Sequence, residues 1–245
     1  MDYRTYRMSR AETLRYLLCA LGITILVAVC FYNSPLAMVL FPLILFFYLR
    51  NKKEELAKSR RSELKLQFQE AVQSMSDALA AGYSAENALR EAERDMRLYF
   101  PENADMVQEL RAMQRKLDTN QTIENVIRDF ADRSGIDEAR TFSEIFSVGK
   151  RSGGDLIAIM KDTATTISQT IDTERQVQSV LASKKYEQKI MNVIPFAMVI
   201  YLRIGCPGFM DPVYGNFAGI AVMTATLGLY VLARYMGKRI LEIEV

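Results

Sequence analysis

Histidine and tryptophan are both absent from this 245-residue sequence, and cysteine occurs only three times. Without histidine the chain lacks the side chain that most often serves as general base or metal ligand near neutral pH. Cys19, Cys30 and Cys206 form no CxxC pair and lie in or beside apolar stretches, so neither a zinc site nor a disulfide framework is expected. Their expected role is that of small, polarizable packing groups. Catalytic motifs are equally scarce. No GxSxG elbow occurs, and the acidic residues are spread along helix faces rather than paired by spacing. The stretch Gly149, Lys150, Arg151, Ser152, Gly153, Gly154, Asp155 has the ingredients of a phosphate loop, but not the GxxxxGK[ST] spacing. An aspartate at the start of the following helix would repel phosphate, so a turn between helices is the expected role. The chain is therefore not expected to be an enzyme, and no catalytic, cofactor-binding or metal-binding residue is implied. No segment is basic enough to present a nucleic-acid-binding face.

What the sequence does have is apolar length. Half of it is hydrophobic, concentrated in residues 14–50 and 190–235, whereas residues 51–189 carry dense and nearly balanced charge. Leu14 to Tyr32 is long enough to cross a hydrocarbon core as a helix. Arg4, Arg7 and Arg10 resemble the start of a cleavable leader, but the length of the run and the second run that follows at once favour a span. After an Asn33-Ser34-Pro35 turn, Leu36 to Leu49 forms a shorter run whose flanking Arg50 and Lys52 can snorkel. Pro42 is expected to kink it, with neighbouring helices satisfying the freed carbonyl. A second pair of spans is expected over Ile190–Phe209 and Gly215–Ala233. Arg203 lies roughly 21 Å of helix beyond Lys189. It either reaches the far headgroups or is an intramembrane charge that needs a partner. Gly215 and Gly219, like Ala221 and Ala225, have the small-xxx-small spacing of closely packed helices and suggest an oligomer interface. Arg4, Arg7, Arg10 and Arg15 precede the first span, and Arg50, Lys52, Lys53 and Lys58 follow the second. Lys184, Lys185 and Lys189 precede the third, and Arg234, Lys238 and Arg239 follow the fourth. The positive-inside bias then places both termini and the middle of the chain in the cytoplasm.

Between the two hairpins the periodicity is helical throughout. Leu64, Phe68, Val72, Met75 and Leu79 form one apolar stripe, ended by Gly82. Ser84 can cap a second helix with Ala85, Leu89, Ala92 and Met96 inward, broken by Pro101. Met106, Leu110, Met113 and Leu117 mark a third. Thr122 can cap a fourth, with Ile123, Val126, Ile127 and Phe130 inward. Asp137 opens a fifth with Phe142, Ile145 and Phe146, running up to Gly149. Asp155 can cap a sixth that has no breaker before Pro195 and spans about 60 Å. Ser84-Ala85-Glu86-Asn87-Ala88-Leu89 is echoed by Thr122-Ile123-Glu124-Asn125-Val126-Ile127. The expected architecture is all-α: a polytopic membrane protein with four transmembrane helices and a cytoplasmic six-helix bundle between two transmembrane hairpins. Residues 1–50 form the first hairpin, 51–189 the helical domain and 190–245 the second hairpin.

Three stretches carry a family resemblance: FQEAVQSMSDALAAGYSAENAL at Phe68–Leu89, FSVGKRSGGDLIAIM at Phe146–Met160, and KKYEQKIMNVIP ending at Pro195. Together they resemble the F-domain family of type II secretion systems, the inner-membrane platform proteins of secretion systems and type IV-like pili. The second stretch is similar to the family's GExSGxL turn, with Lys150 where many members have glutamate. The Gly153-Gly154-Asp155-Leu156 version, the single F-domain and the four spans look closest to the tight-adherence (Flp) pilus branch. The resemblance implies a non-enzymatic platform subunit in the bacterial or archaeal cytoplasmic membrane. Its implied partners are a hexameric secretion ATPase, a pilin or pseudopilin, the lipid bilayer and a second F-domain platform protein, in a homo- or hetero-oligomer. The implied partner contacts are the turns at Gly82, Tyr83 and Ser84 and at Lys150, Arg151, Ser152, Gly153, Gly154 and Asp155. A membrane-anchored scaffold or signalling protein is the alternative, although the external loops offer little ligand surface.

Overall fold

Apolar residues at three- and four-residue spacing, separated by glycine, proline and capping side chains, produce a chain that is helical wherever it is regular. The computed structural model describes residues 3, 8, 10–32, 41–152, 155–206, 208, 214 and 216–241. Helix α1 spans Arg10–Val27 and continues as a π-turn over Ala28–Tyr32, and α2 spans Phe41–Ala80. Helices α3 (Ala85–Tyr99), α4 (Asp105–Asp118), α5 (Ile123–Ser134) and α6 (Asp137–Ser152) follow. Helices α7 (Leu156–Gly205) and α8 (Phe217–Leu241) complete the chain. No strand occurs among the described residues. The chain divides into one unit of Met1–Arg7 with Lys53–Glu174 and another of Met8–Lys52 with Arg175–Val245.

The first unit holds a continuous apolar core. The stripes expected on α2, α3 and α5 are buried in full, as are Met106, Leu110 and Met113 of α4. Its centre is aromatic. The Phe68 ring lies 5.8 Å from Phe130 and 5.7 Å from Phe142, which stacks 6.0 Å from Phe146, joining α2, α5 and α6. Burying one such side chain stabilises the fold by about 1.5–3 kcal/mol.

Breakers and caps set the boundaries. Gly82 ends α2 with φ of 91°, a conformation that a Cβ disfavours. Ser84 accepts the Asn87 amide at 3.3 Å. Ala104 cannot cap α4, and the buried Gln67 of α2 does so instead, its Oε1 accepting the Met106 amide at 3.0 Å. Thr122 occupies the N-cap of α5, yet its hydroxyl makes no capping bond. Asp155 does cap α7, accepting the Ala158 amide at 3.1 Å. The turn expected at Gly149 is a correction, because α6 continues through Gly149, Lys150 and Arg151 to Ser152. A Cβ on Gly149 would lie 3.2 Å from Leu156 Cδ1 and 3.4 Å from Ile159 Cδ1, so this glycine serves the close approach of α6 and α7.

In the second unit, Arg10–Tyr32 and Ala218–Gly237 are long and apolar enough to cross a membrane. The first starts before the expected Leu14 and ends in the π-turn. Pro42 is helical, at the start of the described part of α2. The expected Asn33–Pro35 turn and Leu36–Leu40 lie outside the described residues. Pro195 is accommodated inside α7, which ends at Gly205 and not at Phe209. Tyr16 and Tyr48 meet edge to face at 6.3 Å, pairing α1 with α2. Phe196 and Tyr230 meet at 5.3 Å, and the Tyr230 hydroxyl donates to the Asn192 carbonyl at 3.1 Å, pairing α7 with α8.

The two glycines make different demands. Gly82→Ala is expected to cost about 1–2 kcal/mol through backbone strain, and Gly82→Asn less. Gly149→Ala meets only movable side-chain ends and is expected to cost little, whereas Gly149→Leu overpacks the α6–α7 contact by about 1–3 kcal/mol. Denaturant unfolding of the detergent-solubilised chain distinguishes the two patterns.

Candidate functional site: two helix starts joined by a lysine

The echoed segments each place a carboxylate in the first turn of a helix, Glu86 in α3 and Glu124 in α5, where the exposed amides favour negative charge. Lys150, in the last turn of α6, sets its ammonium between them. Nζ lies 3.2 Å from Glu86 Oε1 and 3.4 Å from Glu124 Oε2. This bridge brings the Gly82–Ser84 turn and the segment from Lys150 onward to the same end of the unit. The Glu86 backbone N–H hydrogen bond and the Lys150 ammonium hold its carboxyl below the ordinary value, against the opposing effect of burial. All three side chains remain partly exposed, and such pairs contribute on the order of 0–1 kcal/mol. The bridge fixes geometry more than it adds stability.

The same stretches carry exposed groups. Tyr83 is half exposed, and Val148 and Ile157 are exposed apolar residues on either side of the α6–α7 junction. Arg151 and Asp155 are exposed as well. Among the described residues no group of three or more histidine, cysteine, aspartate or glutamate side chains is placed to hold a metal. A rim of charge around apolar side chains is the composition of a protein-binding patch.

Gly82, Tyr83, Ser84, Lys150, Arg151 and Asp155 thus share one end of the domain, and Ser152 closes α6. Gly153, Gly154 and Gly215 lie outside the described residues. On α8 the packing within the chain runs through Met223, with Leu227 alongside. Gly219 is half-buried, and Ala221 and Ala225 are exposed. Glu86 and Glu124 were not singled out as site residues by the sequence, although the echo that contains them was the signal.

A second constellation closes the end of the first apolar helix. Arg203 Nη1 donates to the Val29 carbonyl at 2.7 Å, and its guanidinium lies 5.9 Å from the Tyr214 ring. The Tyr214 hydroxyl donates to the Cys30 carbonyl at 2.7 Å, and Tyr32 pairs with Thr224 at 3.0 Å. Carbonyls at a helix C-terminus have no partner within the helix. Arg203 supplies a donor and a charge that suits the helix dipole.

Removing these cations has separable consequences. Lys150→Ala leaves two carboxylates facing each other and is expected to cost up to about 1 kcal/mol. Because Glu86 is depressed in the fold, the bridge contributes fully above the ordinary carboxylate value of 4.5 and is lost as pH falls below it. Wild type should therefore lose more stability than Lys150→Ala in denaturant titrations carried below that pH. Arg203→Leu strands the Val29 carbonyl and is expected to cost about 1–3 kcal/mol, read as a lower melting temperature in detergent.

Comparison with known proteins places this architecture. No curated protein and no solved structure matches the chain. Residues 71–202 match the family described as type II secretion system (T2SS), protein F. Members are structural proteins of the inner membrane that act as platforms in secretion and type IV pilus-type machines rather than as enzymes. The match covers more than half of the sequence, contains Glu86, Glu124, Lys150 and most of α7, and assigns the chain to the type II secretion system protein F family.

Proposed function

We propose that this chain is the inner-membrane platform subunit of a tight-adherence type IV-like pilus machine, coupling a cytoplasmic secretion ATPase to the extraction and assembly of pilin. The observation that carries this reading is the family match over residues 71–202. The chain crosses the membrane four times, with residues 1–50 and 190–245 as hairpins and residues 51–189 as a cytoplasmic six-helix domain. Both termini lie in the cytoplasm. The arrangement of basic residues supports this topology, as do the Tyr16–Tyr48 and Phe196–Tyr230 contacts. The exposed Ala221 and Ala225, one turn apart on α8, suit close packing against a second platform subunit.

The ATPase contact is the end of the domain organised by Lys150. Lys150 itself is committed to Glu86 and Glu124 and Asp155 caps α7, so the recognition falls first to Tyr83 and Arg151. Co-purification of the tagged full chain from detergent with its cognate secretion ATPase tests this. Capture that Tyr83→Ala and Arg151→Glu each weaken about tenfold, equivalent to about 1.4 kcal/mol, is the expected result. Capture that both variants leave intact retains the platform role and moves the contact. Absence of capture by a folded chain and an active ATPase overturns the coupling role.

A further inference from the structure

Tyr3 precedes the first apolar helix in sequence, yet it is the one tyrosine buried among the described residues, 2% exposed within the core of the first unit. Its surroundings form a built site. The hydroxyl donates to Glu109 Oε1 at 2.9 Å, and the backbone N–H donates to the Arg133 carbonyl at 3.2 Å. The Arg60 guanidinium lies 4.9 Å from the ring centre, within range of a cation–π attraction. Each wall is itself held. Glu109 is buried and takes two hydrogen bonds from Arg133, at 3.0 and 2.8 Å. Arg133 also pairs with Asp129 at 2.9 Å. Arg60 is gripped by Asp105 at 2.7 and 2.5 Å.

The chemistry is specific to a phenol. The pocket offers a carboxylate for the hydroxyl and a cation for the ring face. A phenylalanine would fill the shape but withdraw one donor from a buried carboxylate, which carries a desolvation cost. Burial and the neighbouring Glu109 charge raise the Tyr3 hydroxyl well above its ordinary value, so it remains a donor. Burial opposes ionisation of Glu109, but the Arg133 hydrogen bonds and charge prevail and keep it a carboxylate. Tyr3 and Arg60 both lie outside the family match over residues 71–202, so membership of the family says nothing about this contact.

We propose that Glu109, Arg133 and Arg60 form a tyrosine socket in the cytoplasmic domain whose ligand is the chain's own N-terminal segment. Tyr3 then fastens that position of the chain to the domain by its ring, its hydroxyl and its backbone N–H. The contact stands independently of any ATPase role.

Cleavage after Tyr3 by chymotrypsin reads the contact directly, because the protease must take that ring into its own specificity pocket. The full-length chain in detergent is compared with Tyr3→Phe, which keeps the ring and the cleavage preference but loses the hydroxyl. Rates are normalised to synthetic peptides of residues 1–9 carrying either residue. Cleavage after position 3 is expected to be at least about tenfold faster in Tyr3→Phe, because proteolysis tracks the open population. Glu109→Ala, which removes the acceptor from the other side, should accelerate cleavage after Tyr3 to a similar extent. Cleavage after the exposed Tyr99 serves as the internal control and should not change. Equal normalised rates in wild type and Tyr3→Phe, fast or slow, overturn the socket. Acceleration in Glu109→Ala accompanied by equal acceleration at Tyr99 would mean general unfolding and would also count against it.

Discussion

With no strand among the described residues, no sheet absorbs the amides and carbonyls left over at helix ends, and side chains from other helices take up several of them. Gln67 of α2 caps α4, whose own N-cap is an alanine. Arg203 of α7 and Tyr214 after it satisfy the last carbonyls of the first apolar helix. Lys150 at the end of α6 neutralises the carboxylates that occupy the first turns of α3 and α5. Each of these bonds finishes one helix while fixing the position of another. The ends therefore carry information about tertiary arrangement that the apolar stripes, which tolerate sliding and rotation, do not.

This division explains what could be read from the sequence. The stripes through Phe68, Leu89, Leu110 and Phe130 were legible because burial follows the helical period. Gly82, Ser84, Pro101 and Asp155 were legible because breaking and capping act within a few residues. Gly149 was misread because a glycine beside a turn-like cluster looks like a turn even where it lies within a helix and faces the next one. Its reason, the approach of Leu156 and Ile159, lies on the next helix. Thr122 was the right residue at the right position, but its hydroxyl makes no capping bond. Gln67 and Tyr3 could not have been found at all. Their partners are distant in sequence, and neither residue type at its position departs from an ordinary helix surface or leader.

The balanced charge of the central region follows the same logic. Lys65 of α2 bridges Glu138 of α6 and Glu174 of α7, and the buried Glu93 of α3 draws Arg111 from α4. Partly exposed pairs of this kind add little free energy each. Their effect is selective, because like charges brought together by a wrong rotation or register would be costly where the correct arrangement is merely neutral. A net charge near zero over the middle of the sequence is thus the outcome of pairing across helices and not a surface left featureless.

The same pairing narrows how a partner can recognise the domain. A charge already held by two carboxylates cannot be taken by a docking protein without leaving those carboxylates uncompensated, so Lys150 is a poor energetic contributor to any interface. Tyr83, Val148 and Ile157 have no such commitment, and their apolar surface is in water. Covering it on docking would be favourable at about 25 cal/mol per Å² without dismantling anything inside the domain. Recognition at this end should then be apolar at its centre and ionic at Arg151, since Asp155 is held as the α7 cap. The lysine acts within the domain, by joining the starts of α3 and α5 through Glu86 and Glu124.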